Sequence, residues 1–152
     1  MIFFTRQLYS GGQPASGWER RAHNEWGRRL KIYDAYLAAI GPMLPASVRK
    51  LMSRGLHDGI VRAAEYRAGV LTMVVEGGWG FGGRTARLVF RGVRGRPAVA
   101  KLVGEWWLYD EAHLSANAAF AVHVLFTRRE LAIEANELTF EVESRGKWRK
   151  PR

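Results

Sequence analysis

Five side chains able to ligate a metal or move a proton fall in the stretch 105–123: Glu105, Asp110, Glu111, His113 and His123. Carboxylates and imidazoles hold zinc when they converge. No His-Glu-x-x-His, paired-Asp motif or repeated ligand spacing organises this group, and an acidic surface strand accounts for its carboxylates. The expectation is therefore no metal and no cofactor. His57-Asp58 is a second candidate, since a carboxylate can orient an imidazole for general acid–base work. Adjacent side chains in a strand point to opposite faces, so a turn-stabilising role through local hydrogen bonds is expected instead. Ser47 and Ser53 fall on a predicted helix with no Gly-x-Ser-x-Gly elbow, which argues against a triad hydrolase. The chain has no cysteine, which removes the thiolate nucleophile, the zinc–thiolate site and the disulfide, and fits a reducing, cytoplasmic setting.

Other residues read as contact surfaces. The insert Gly77-Gly78-Trp79-Gly80-Phe81-Gly82-Gly83 would let backbone approach a ligand closely. No Gly-Lys-Ser/Thr and no helix start follow it, so it is a hairpin loop, with Trp79 and Phe81 as candidate partner contacts, and not a phosphate loop. Glu134 and Glu137, in the acidic late strands, are the other candidate partner contacts. Trp106-Trp107 in a strand puts one indole on each face, one in the core and one outside. Arg145, Lys147, Trp148, Arg149 and Lys150 form a basic tail with a ring that can stack on a base, the pattern of an arm on nucleic acid and equally of a solvated end.

The elements that position these residues change character partway along. Ser16 and Glu19 make a capping box, after which Trp18, Ala22, Trp26, Leu30, Tyr33, Leu37 and Ile40 recur at steps of three and four, predicting a long amphipathic helix ended by Gly41-Pro42. Pro45 opens a shorter helix with Val48, Leu51 and Met52 on its apolar face and Gly55 as cap. From Gly59 onward the period becomes two. Strands are expected at 60–67, 70–76, around Leu88 to Val93, at 102–109, 120–127, 130–135 and 138–143, with Ala68-Gly69 as a tight hairpin turn. Helices first and strands later give an α+β fold, with the long helix on one face of a mostly antiparallel sheet. Residues 1–144 form one domain in this reading, and 145–152 a tail.

Composition bounds the function. The 152 residues are 47% hydrophobic and carry a net charge of +10, enough chain for one substantial core and a charge that invites a polyanion. Yet residues 104–144 hold two Lys/Arg against eight Asp/Glu, which a simple phosphate-coating protein would not need. Arg6 interrupts the apolar start, so no secretory signal is expected, and no apolar run approaches the roughly 20 residues of a membrane span.

Phe3-Phe4-Thr5 with Leu8-Tyr9, then Leu56-His57-Asp58, then Leu88-Val89-Phe90-Arg91-Gly92-Val93, and finally Trp107-Leu108-Tyr109-Asp110-Glu111 resemble a family of small uncharacterised bacterial proteins, a domain of unknown function. The resemblance covers most of the chain and implies no activity and no catalytic residue. The layout is also similar to small immunity proteins that neutralise toxins by binding them, from which this chain departs in being strongly basic. The expected function is a non-enzymatic, immunity-like protein-binding module. A nucleic-acid-associated protein is the alternative, and a hydrolase built on the carboxylates and His113 is the third reading.

Overall fold

The computed structural model describes residues 1–11, 19–78 and 84–143. Among these residues three α-helices come first: α1 (Arg6–Gly11), α2 (Glu19–Ile40) and, after a 3-10 turn at Gly41–Met43, α3 (Ala46–Arg54). The predicted stripe on α2 is real but narrower than expected. Ala22, Tyr33 and Ile40 are buried and Trp26, Tyr36 and Leu37 half-buried, whereas Leu30 is 43% exposed. At about 100° per residue Leu30 lies about 80° round the helix from Ala22 and Ile40, at the edge of the buried face. Pro45 precedes α3, and Gly55 ends it with φ +60° and its N–H on the Leu51 carbonyl at 2.8 Å. The short α1 was not expected from the sequence; its Arg6 guanidinium donates to the carbonyls of Phe126, Thr127 and Arg129.

Seven antiparallel strands follow: β1 (Gly59–Arg67), β2 (Val70–Gly77), β3 (Thr85–Arg91), β4 (Trp106–His113), β5 (Phe120–Phe126), β6 (Glu130–Ala135) and β7 (Glu137–Glu143). The strand expected at 102–109 begins and ends four residues later. Leu102 N–H bonds the Val99 carbonyl, Glu105 N–H bonds the Leu102 carbonyl and Gly104 takes φ +87°, so 98–105 is a run of turns. Asp110, Glu111 and His113, expected on an acidic surface strand, instead lie within β4, where Glu111 and His113 are buried.

The sheet order is β6-β5-β4-β1-β2-β3-β7, yet β6 and β7, at its two edges, are separated only by Asn136. The sheet must therefore curl until its edges meet. Arg94 N–H reaches the Glu134 carbonyl at 2.9 Å, Asn136 N–H reaches the Arg91 carbonyl at 3.0 Å, and the rings of Phe90 and Phe120 meet across the interior at 6.4 Å. The result is an incomplete barrel, a strongly coiled form of the sheet twist that chirality imposes. Its interior is filled by Leu71, Met73, Leu88, Phe90, Phe120, Val122, Phe126, Ile133 and Phe140. Val48 and Leu51 of α3 join that core, and Lys50 lies over the Phe140 ring.

The long helix packs on the sheet as expected, with Ile40 in the core and Tyr36 and Leu37 against it. Its main contacts with the sheet are at β4, where β1 diverges: β1 pairs with β4 only at Gly59–Trp107 and Ile60–Trp106. There the Ala112 N–H, left without a strand partner, donates to the Tyr33 hydroxyl at 2.8 Å.

Candidate functional site

Strand alternation puts Tyr109, Glu111 and His113 on the outer face of β4, and the β4–β5 register sets His123 directly opposite Glu111. A register shift between Trp107 and Tyr109 fixes this phase. The ligating atoms of Glu111, His113 and His123 all lie within 4.8 Å of one another, with His113 Nε2 at 3.0 Å from Glu111 Oε2.

Glu111, fully buried, is the centre of this group. Its Oε1 accepts the backbone N–H groups of Phe3 at 2.8 Å and Phe4 at 2.6 Å, and its Oε2 accepts that of Ile2 at 2.8 Å. One carboxylate thus fastens the N-terminal segment to the sheet. Burial raises its pKa, but the hydrogen bonds from His113 and from those three N–H groups outweigh burial and leave it below the usual value. Around it, Phe3 stacks parallel to His113 at 6.3 Å and packs on Tyr33 at 5.1 Å, while Phe4 contacts Trp26, Tyr33 and Tyr109. The Tyr36 hydroxyl lies 3.3 Å from His113 Nδ1. Burial of Tyr33 pushes its phenol upward, so that hydroxyl stays protonated. His123 is half-buried with Nδ1 sealed and unpartnered, and burial followed by the neighbouring His113 lowers its pKa.

Asp110 points the other way, into the barrel beside Val124. Its Oδ2 and the Trp107 indole N–H are both buried without a hydrogen-bond partner. Burial raises its pKa to about 7, opposed in part by the Trp107 N–H.

The remaining candidates scatter. Glu105, 1% exposed, is tied to the Arg128 N–H at 2.8 Å and to the Arg128 guanidinium at 3.0 Å, far from an acidic surface role. The acidic-surface-strand expectation thus fails for Glu105 and Glu111, which are buried because each has its own donors. His57 and Asp58 do meet, at 3.0 Å, because they sit in a turn with Asp58 at φ +64° and not in a strand. His57 also packs edge-on against Tyr109 at 4.8 Å. The segments carrying Phe3-Phe4, Leu56-His57-Asp58 and Tyr109-Asp110-Glu111 therefore converge on one patch. Trp107 is fully buried and Trp106 46% exposed, one indole on each side as expected. Glu134 is half-buried and accepts the Ser115 hydroxyl at 3.2 Å; Glu137 is exposed opposite Arg91. Trp79, Phe81 and the basic tail (Arg145, Lys147, Trp148, Arg149 and Lys150) lie outside the described residues. The roles of Tyr33, Tyr36 and the backbone of residues 2–4 were not read from the sequence. Only the i, i+2 spacing of Glu111 and His113 on a strand signals the group.

The outer face of β1, β2, β3 and β7 is a different surface. In register across it run Arg67, Val70, Arg91 and Glu137, then Glu65, Thr72, Val89 and Thr139, then Ala63, Val74, Arg87 and Glu141. Among the described residues no helix packs over these rows. Arg62 and Glu76 pair at its margin.

A family described as protein of unknown function (DUF4085) matches residues 12–134. No curated protein and no solved structure matches the chain.

Proposed function

The chain belongs to the DUF4085 family of proteins of unknown function, and from that premise we propose that it is a non-enzymatic protein-binding module, immunity-like in acting by occupying another protein's surface. The observation that carries this reading is the four-stranded outer face, with half-buried Val70 and Thr72 and exposed Thr139 at its middle, over buried Val74 and Val89, and Arg67, Arg87, Arg91, Glu65, Glu137 and Glu141 around them. A β surface with a small centre of low charge and charges of both signs at its rim is the anatomy of a protein interface. Supporting it, the groups best suited to acid–base work are spent on structure: Glu111 on the N-terminal segment and Glu105 on Arg128. The partner is another protein, met at this face and at the Glu134–Glu137 corner, with the Trp79–Phe81 loop as a further candidate contact.

Affinity capture from host extract with the immobilised chain, compared with Glu137→Lys, tests this. The reading expects one protein retained in near-stoichiometric amount by the native chain and at least tenfold less by the variant. Equal retention by both, or no retained protein, contradicts it. A nuclease-sensitive retention of nucleic acid would instead favour the second reading. That reading draws on a hollow of about 520 Å³ lined by Tyr66, Arg96, Lys101 and Arg129 and on the exposed Arg20, Arg21, Arg28 and Lys31 of α2.

A further inference from the structure

We propose that Glu111, His113 and His123 form a divalent-metal site of the zinc class, whose occupancy locks the N-terminal segment onto β4 and β5. Two of the three ligand atoms already stand at the distance an ion needs. Two donors each about 2.1 Å from a zinc ion, at about 90–110°, lie about 3.0–3.4 Å apart, and His113 Nε2 lies 3.0 Å from Glu111 Oε2. The full set lies within 4.8 Å, wider than the about 4.2 Å that two such bonds can span, so half-buried His123 must shift toward Glu111 and His113 to complete the site.

Each ligand also has the supporting contacts that a metal site uses. In the metal-free chain His113 Nε2–H donates to Glu111; with an ion bound the ring proton would sit on Nδ1, where the Tyr36 hydroxyl can accept it, which frees the Nε2 lone pair for the ion. The three backbone N–H groups occupy both acceptor positions of Glu111 Oε1 and one of Oε2, which orients the carboxylate and leaves the remaining Oε2 lone pair aimed at His113. His123 carries the unmet requirement: a sealed Nδ1 with no hydrogen-bond partner, a cost that coordination would remove.

Two imidazoles and one carboxylate suit zinc, and are poorly matched to magnesium or calcium, which take oxygen donors. Because Glu111 holds residues 2–4 while the two histidines belong to β4 and β5, an ion between them couples the N-terminal segment to both strands.

The test titrates the metal-free full chain with Zn²⁺ against a chromogenic chelator, and with Co²⁺ while recording its d–d absorption. The native chain, His123→Ala, His113→Gln and His57→Ala are compared. The proposal expects one equivalent bound, a raised melting temperature on binding and slower amide exchange at Phe3 and Phe4. It expects His123→Ala and His113→Gln each to weaken binding at least 100-fold, and His57→Ala to bind as the native chain does. The metal-free melting temperature of His123→Ala reports that it folds. No stoichiometric binding by the native chain, binding that survives His123→Ala unchanged, or binding lost in His57→Ala would each overturn it.

Discussion

At residue scale, two consecutive residues of one strand carry opposite electrostatic fates. Glu111 faces outward into three backbone N–H groups and an imidazole, and Asp110 faces inward beside an indole N–H it does not reach in good geometry. Their pH contributions have opposite signs. Glu111 has its pKa lowered, so the stability it supplies is present above its ordinary value and lost as pH falls below it. Asp110 has its pKa raised to about 7, so between about pH 4 and 7 the folded chain holds a proton that the unfolded chain has released. Stability from this group is therefore fully present below about pH 4 and declines as pH rises through 7. Asp110→Asn removes that decline. Urea unfolding at pH 4 should find the variant close to the native chain, and at pH 8 more stable by up to about 4 kcal/mol, the equivalent of about three pKa units. A native-like fall between pH 4 and 8 in the variant would show that Asp110 is not the group responsible. The Glu111–His113 spacing was legible in the sequence. The donors that bury Glu111 were not, because backbone N–H groups more than 100 positions away leave no side-chain signal.

At the scale of elements, periodicity carried α2, α3, the β1–β2 hairpin and the alternation of β5 and β6. The same period-two reading placed β4 four residues early. Hydrophobic spacing alone sees Leu102 and misses a strand whose buried positions include Glu111 and His113. Such strands are stabilised by partners from other elements, which local pattern cannot contain. The β1–β2 turn tests the local reasoning. Ala68 at φ +48° and Gly69 at φ +77° form a two-residue turn with both residues left-handed, a conformation that costs alanine and not glycine. Ala68 is exposed and bears on the turn alone. Ala68→Gly should raise unfolding free energy by about 0.5–1 kcal/mol in thermal or urea melts. A loss of stability would mean that the turn is not held as described.

At the scale of the molecule, the curl of the sheet decides what each surface can do. An α+β fold was legible from the order of helices and strands; the barrel was not, because closure depends on Arg94 reaching Glu134 and on Phe90 meeting Phe120 across the interior. Closure divides the outside into a half sealed by residues 2–4 and α2, where the Glu111 group lies, and a half over β1, β2, β3 and β7 that no described helix covers. The uneven charge of the chain finds a place in this division. Late acidic residues such as Glu137 and Glu141 line up against Arg91 and Arg87 across strands, making a mixed-sign surface in place of a uniform polyanion-binding one.

That surface gives the most direct measurement. A photo-crosslinking residue placed at Thr139, in the middle of the uncovered strands, is compared in the host with the same residue at the exposed Ser53 of α3. A protein-binding face predicts one crosslinked protein of defined mass from position 139 and none from position 53. No adduct at 139, or the same adducts from both positions, would contradict it.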